Sequence, residues 1–269
     1  LKATNKIAEG NLDVEIKEDL GLFNPLKGEL EKIQSGFKKA VEEEVKSQRL
    51  KTELISNVSH DLKTPLTSII TYVDLLKNEN ITEEERKSYI ETIERKSERL
   101  KNLIEDLFEM SKATSKNIQL NIVEVDIVEL MKQTQFELSD KIEESSLKFK
   151  WNLPNEKVII KLDSQKTFRV FENLLMNIVK YAMPNSRVFI DIINEEDKVS
   201  IVLKNMSANE MDFTAEEIVE RFARGDRSRN TEGSGLGLAI SKSFVELQGG
   251  SFKIEIDGDL FKVKIDFSK

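Results

Sequence analysis

Apolar residues recur at steps of three and four along residues 55–76, at Ile55, Val58, Leu62, Leu66, Ile69, Val73 and Leu76. That spacing is one face of an α-helix. The surrounding text is helical and rich in Lys and Glu from about Phe23 to Leu76, disturbed only by Pro25, Gly28, Gly36 and Pro65. Residues 77–85, KNENITEEE, break the stripe and offer Thr82 as an N-cap, with Glu85 three positions on to complete a capping box. A second stripe follows at Ile90, Ile93, Leu100, Ile104 and Leu107 and ends near Met110. Two amphipathic helices joined by a short polar loop make an antiparallel hairpin. A lone hairpin covers neither stripe well, so two copies closing into a four-helix bundle is the expected completion.

From about Ser115 the pattern changes to mixed strand and helix. NIQLNIVEVD and KVIIKLD read as strands, and IVELMKQTQFELSDKIEES as one helix capped by Asp126 with Glu129. Residues 164–182 form another helix. SRVFIDII and KVSIVLKN are strands. The end alternates as Phe252, Ile254, Ile256 and then Phe261, Val263, Ile265, Phe267, with a hairpin turn at the DGD of 257–259. Helices on one face of a mixed sheet predict an α/β sandwich. The expected fold class is therefore multidomain, a helical hairpin followed by an α/β domain.

Composition narrows the chemistry. At 269 residues the chain suits two compact domains and a connecting segment. The net charge of −8 shows no basic face for nucleic acid. With no cysteine, a disulfide framework, a thiol nucleophile and a Cys-ligated zinc are excluded. No stretch approaches the roughly 18 to 20 apolar residues that cross a bilayer. The chain begins at Leu1 rather than Met, which points to an excised piece of a longer protein.

Candidate chemistry sits in four places. On the helix of 164–182, Phe168, Phe171, Leu175, Ile178 and Ala182 share one side, while Asn173, Asn177 and Lys180 form a stripe almost opposite. An asparagine oxygen is a neutral hard ligand for Mg²⁺ and a lysine one turn later can neutralise phosphate; a solvated polar face explains this helix alone equally well. Gly233, Gly235 and Gly237 immediately precede a helix with Leu238, Ile240, Phe244 and Leu247, which Gly249 and Gly250 end. Glycines let backbone N–H groups close around an anion at a helix N-terminus, although a plain glycine turn has the same look. Between these lies a long polar segment with Arg221, Arg224, Arg227 and Arg229, either a lid over triphosphate or a surface loop. Finally, the chain's one histidine, His60, falls about 200° from the apolar stripe. An exposed imidazole, with an unperturbed pKa near 6.5, is a nucleophile at neutral pH, and Asp61 is adjacent with Thr64 one turn along. Pro65 removes a helical N–H and allows a bend.

Together these pieces resemble the cytoplasmic part of a two-component sensor histidine kinase over residues 47–269. VSHDLKTPLTSI resembles that family's phospho-acceptor block, NLLMNIVKYA its asparagine box, RFARGDRSRN its lid element and GSGLGLAI its second glycine box, in the family's order. IAEGNLDVEIKEDLGLF followed by a helix resembles the latter half of a HAMP relay. The resemblance implies three domains: 1–46 the HAMP half and signalling helix, 47–113 the dimerisation and phosphotransfer hairpin, and 114–269 the catalytic ATP-binding domain. It implies ATP and Mg²⁺ as cofactors, a homodimer, a response-regulator receiver domain as partner, and anchoring at the cytoplasmic face of the cell membrane through an upstream region. His60 is then the phosphorylated residue, Asp61 an assisting base, and Thr64 the residue implicated in dephosphorylating the regulator. Asn177 would ligate Mg²⁺. Asn173, Lys180 and Tyr181 would line the nucleotide pocket, with Arg224 and Arg229 in the lid and Gly233, Ser234, Gly235, Leu236 and Gly237 around the phosphates.

One departure stands out. Where the family carries a first glycine box with an adenine-binding Asp, this chain reads LKNMSANEM, with Asn205 in the Asp position and no glycine. An Asn oxygen accepts from an amine without the charge-assisted strength. Two rival readings follow from the same residues: another ATPase of the same nucleotide fold, or a dimeric signalling module that binds ATP poorly. The expected mechanism swings the catalytic domain about a hinge at 111–118, with input arriving through the helix from Phe23 to His60.

Overall fold

The computed structural model describes residues 24–78, 80–114, 119–211, 213–215, 218 and 235–269. It divides into two compact units, Leu1–Ser59 and His60–Lys269. Helix α1 (Asn24–Leu76) runs through Pro65, which is buried, and α2 (Glu83–Thr114) follows it. The expected capping box forms between them. Thr82 N–H donates to Glu85 Oε2 at 2.9 Å, and Glu85 N–H returns to Thr82 Oγ1 at 3.2 Å. These bonds from the Thr82 backbone and hydroxyl hold the Glu85 carboxyl below the ordinary range. Tyr72 and Tyr89 meet across the hairpin with ring centroids 5.4 Å apart. Helix α2 runs four residues past Met110, so the first part of the expected hinge is helical; 115–118 lie outside the described residues.

The hairpin stripes are only partly covered. Leu62, Ile69, Leu76, Ile93, Leu100 and Leu107 are half-buried, whereas Leu66, Ile70 and Ile90 are 48%, 54% and 52% exposed. The side chains of Ile55 and Val58 lie outside the described residues.

The α/β domain contains β1 (Ile122–Asp126), α3 (Ile127–Glu137), α4 (Ser139–Glu144), β2 (Lys148–Asn152), β3 (Ile159–Asp163), α5 (Ser164–Tyr181), β4 (Arg187–Asn194), β5 (Lys198–Met206), α6 (Gly237–Leu247), β6 (Ser251–Asp257) and β7 (Leu260–Ser268). Strands β1 and β3 pair antiparallel. The other five form one sheet in the order β2-β4-β5-β7-β6, with β2 parallel to β4 and the remainder antiparallel. The register aligns Ile192, Ile201, Ile265 and Phe252, and beside them Ile190, Leu203, Val263 and Ile254, into buried rows on one face. Helices α3, α5 and α6 complete this core with Ile127, Met131, Phe171, Leu175, Ile240 and Phe244. The opposite face carries charge: Lys204 pairs with Asp191 at 3.0 Å, Lys264 with Asp266 at 3.3 Å, and Ser200 donates to Asp266. Period-two alternation thus sorts core from surface here, as it sorts period 3.6 in the helices.

Two sequence expectations change. The single helix expected from Ile127 breaks at the buried Leu138 (φ −101°, ψ 9°), and Ser139 and Asp140, good helix openers, begin α4. Strand β2 was not anticipated, although Lys-Phe-Lys-Trp alternates; Phe149 and Trp151 stack at 5.5 Å on the helix-covered face.

Two polar joints fix the helices. Asp126 caps α3 by accepting from Val128 N–H and Glu129 N–H. Asp163 caps α5 by accepting from Lys166 N–H at 3.0 Å, and its other carboxylate oxygen accepts Asn121 N–H at 2.9 Å. Its own N–H donates to Gln248 Oε1 at 2.7 Å, tying the start of α5 to the end of α6.

Candidate functional site

Helices α5 and α6 lie antiparallel, because the C-terminal end of α6 is bonded to the start of α5 and its N-terminal end to Asn173, midway along α5. At the α6 C-terminus, Gln248 accepts from Thr167 Oγ1 at 3.2 Å as well as from Asp163. At the α6 N-terminus, Asn173 Nδ2 donates to the Gly237 carbonyl at 3.4 Å. The N-terminus of α6 therefore points toward the C-terminal half of α5, where Asn177, Lys180 and Tyr181 follow Asn173 at helical steps.

Local sequence explains this end of α6. Gly235 has φ +71°, a left-handed conformation that side chains resist, so the chain turns sharply into the helix. Leu236 is fully buried and fills the helix-capping position with an apolar side chain, leaving no side-chain cap bond there. Gly237 sits against Asn173, where an added Cβ would make ordinary contact at 3.6 Å. The positive end of a helix dipole opened by a glycine turn suits an anion. Ser241, one turn on, donates to the Gly237 carbonyl at 2.7 Å and completes its bonding. Sequence reasoning missed Ser241 and Gln248; the i, i+4 spacing from Gly237 was the available signal for the first.

The far wall is β5. Met183 N–H donates to the Met206 carbonyl at 2.8 Å and Ala208 N–H to the Tyr181 carbonyl at 2.9 Å, with a bridge between Ala182 and Ser207. These bonds bring the end of α5 to the end of β5 and set Tyr181 opposite Ala208. Asn205 is 5% exposed and continues the buried row of Val199, Ile201 and Leu203. Its Nδ2 donates to the Met206 carbonyl at 3.2 Å, so its Oδ1 is the end that can meet an amine. Asn177 and Tyr181 are half-buried and Lys180 is exposed.

The structure thus places Asn173, Asn177, Lys180 and Tyr181 on α5, Asn205 at the end of β5, and Gly235, Leu236 and Gly237 at the start of α6, with Asn173 and Gly237 in direct contact. Arg224, Arg229, Gly233 and Ser234 lie outside the described residues. Asp61, half-buried, and Thr64, exposed, belong to α1, as does His60, whose side chain is outside the described residues.

Comparison with known proteins bears on both parts. Residues 50–116 match the family described as His Kinase A (phospho-acceptor) domain, and 162–269 match the histidine kinase-, DNA gyrase B- and HSP90-like ATPase family. The sensor protein VanSC of Enterococcus gallinarum is 33% identical over 224 residues, covering 81% of this chain and 62% of that protein. The chain belongs to the two-component sensor histidine kinases. The sensor histidine kinase WalK of Bacillus subtilis is 31% identical over 221 residues, 78% of this chain and 35% of its own length. This histidine kinase chain therefore spans only about a third to three-fifths of those relatives. The fold matches histidine kinase ThkA, solved with the response regulator protein TrrA, at a TM-score of 0.64 and 22% identity over 86% of this chain and 66% of that one. Among the described residues of the kinase chain, no helix is long and apolar enough to cross a membrane.

Proposed function

We propose that the chain is an ATP-dependent protein-histidine autokinase that phosphorylates His60 and passes the phosphoryl group to an aspartate of a response regulator, and that it also dephosphorylates that regulator. The observation that carries this reading is the meeting of Asn173 with Gly237, which sets an α6 N-terminus opened by the Gly235 turn over the polar face of α5. That donor set fits a nucleotide phosphate with Mg²⁺: backbone N–H groups and helix dipole for the anion, Asn177 oxygen for the metal, Lys180 for charge. Bound ATP supplies the γ-phosphoryl group. Asn173 and Tyr181 line the pocket, Asn205 Oδ1 accepts from the adenine amine, and Gly233, Ser234, Leu236, Arg224 and Arg229 complete the phosphate loop and lid. His60 would take the phosphoryl group on a ring nitrogen as the bond between the β- and γ-phosphates breaks and ADP leaves, while Asp61 takes the ring proton. Thr64 orients water for the reverse service to the regulator. Catalysis here is positioning and charge neutralisation.

The exposed residues Leu66, Ile70 and Ile90 support a homodimer through a four-helix bundle. We further assign residues 1–46 to a HAMP-type relay, 47–113 to the hairpin and 114–269 to the catalytic domain, in a protein held at the cytoplasmic face of the membrane.

Incubation with γ-labelled ATP and Mg²⁺ tests the reading. Acid-labile, base-stable label that disappears in His60→Gln is expected; free phosphate without protein label would mark a different ATPase, and no label a non-enzymatic module. In addition, Asn205→Asp is expected to tighten ATP roughly fivefold by calorimetry, the ~1 kcal/mol separating a neutral from a charged acceptor. The same variant melts lower without ATP, since a carboxylate at that depth loses hydration. Unchanged affinity counts against the assignment of Asn205.

A further inference from the structure

The hairpin packs on the α/β domain where α2, with its buried Leu103, lies against α6, and beside that packing the two meet through charge. On α2, Asp106 and Glu109 lie three residues apart on one face; on α5, Lys166 and Arg169 do the same. Arg169 Nη2 meets Asp106 Oδ1 at 2.8 Å, Arg169 Nε meets Glu109 Oε2 at 3.5 Å, and Lys166 Nζ meets Glu109 Oε1 at 3.5 Å. Arg169 also holds Glu172 at 2.6 Å, and Lys166 lies 4.8 Å over the Phe244 ring of α6. The side chains are 13–30% exposed, enclosed enough to interact strongly and open enough for salt to reach them.

Three features make this contact more than a fastening. First, partly exposed ion pairs beside the packed seam weaken as ions screen them, which gives the contact a salt dependence that apolar packing alone lacks. Second, Glu172 immediately precedes Asn173, so the contact and the nucleotide site occupy neighbouring positions of one helix. Third, the contact lies close to the level of His60 along the hairpin. Tyr72 faces Tyr89, so His60, twelve residues before Tyr72, lies level with position 101. Asp106 and Glu109 are about 8–12 Å farther along at the helical rise. A catalytic domain pinned there on the α2 side is held near the acceptor in one fixed pose. Yet the same histidine must in turn admit the nucleotide and the regulator.

We propose that Asp106 and Glu109 of α2 clasp Lys166 and Arg169 of α5 to hold the ATP-binding domain docked on the hairpin, and that autophosphorylation waits on the opening of this ionic-strength-sensitive clasp. The rate half of the proposal rests on the kinase reading above; the docking half does not. The burial of Arg169 would weaken its charge, but Glu172, Asp106 and Glu109 more than offset it, so the guanidinium stays charged while docked.

Because the chain has no cysteine, the exposed Lys87 and Lys253 can be replaced by cysteine in the full chain and labelled for distance measurement by energy transfer. At low salt the labels are expected in one close population, which gives way to longer separations as KCl rises. The pair Asp106→Asn and Glu109→Gln, which leaves every residue of the nucleotide site in place, is expected to show the longer separations already at low salt. Its autophosphorylation rises about fivefold to tenfold, the loss expected for two partly buried ion pairs, and no longer responds to KCl. The wild-type salt titration stands even if the variant folds poorly. Separations that respond to neither salt nor substitution overturn the clasp, as does a variant whose domains part while its autophosphorylation falls. Labels that separate in a chain forming no phosphohistidine uphold the clasp and overturn the kinase reading.

Discussion

The hairpin and the α/β domain spend their apolar residues differently. In the α/β domain, Ile201, Ile265, Phe244 and Phe171 are fully buried within one chain, and each sheet row finds its cover in α3, α5 or α6. In the hairpin, Leu66 and Ile90 face outward although they lie on the stripes that built the helices, and Ile70, next to the stripe, is exposed with them. One region covers its own apolar residues within a single chain and the other leaves part of its apolar surface uncovered. Under the proposed function the α/β domain needs no second copy to bury its core, whereas the hairpin does.

Ile70→Glu presses hardest on that contrast. If Ile70 lies in a dimer core, two buried carboxylates per dimer cost about 4 kcal/mol and weaken self-association roughly a thousandfold. Sedimentation equilibrium should show monomer, while the melting of the α/β domain stays put. Unaltered association would remove Ile70 from the interface.

Gly250→Ala acts on the self-sufficient side. Gly249, at φ +78°, and Gly250 close α6 by bonding back to the Glu246 and Val245 carbonyls at 3.0 and 2.9 Å. A Cβ on Gly250 would stand 2.6 Å from the buried Phe267 ring and 2.9 Å from Val245. Neither neighbour can yield, so about 1–3 kcal/mol of stability should be lost, read as a lower melting temperature with dimerisation intact.

The smallest expected effect is at the open sheet face. Burial would raise the Asp266 pKa, but the Ser200 hydroxyl and the Lys264 and Lys198 charges prevail and hold it below the ordinary value. Folding therefore favours the ionised form. The stability it adds is present above the unfolded carboxyl pKa and fades as pH falls through the folded one. Asp266→Asn should cost about 1 kcal/mol at neutral pH, with the difference shrinking as acid carries the wild-type group through its lowered folded pKa, beneath the ordinary carboxylate range. A gap in melting temperature that persists into acid would refute the ion-pair account.

Local signals were the ones the sequence made legible. The Thr82–Glu85 box, the Asp126 cap and the Gly249–Gly250 stop each depend on residues within a few positions, and each forms as read. Strand β2 escaped because its partner β4 lies some forty residues on and runs parallel, so no turn announced the pairing. The break at Leu138 escaped because Leu138 keeps the helical apolar spacing while leaving helical dihedrals. At the site, the glycines and asparagines were visible one by one. That α6 runs antiparallel to α5 was not, since Gln248 and Asp163, 85 positions apart, decide it. Asn205 could be named as the odd residue, but only the register with Phe261 reveals that it belongs to a buried row.

Asp163 has a mechanical meaning. Its carboxylate grips Asn121, at the point where the chain enters from the hairpin, while also starting α5, and its N–H grips the end of α6. A tug delivered along the connection is thus not absorbed by β1, a short strand in a two-stranded sheet. It loads both helices of the proposed nucleotide site at once, through a single residue, and the two should turn together rather than slide apart.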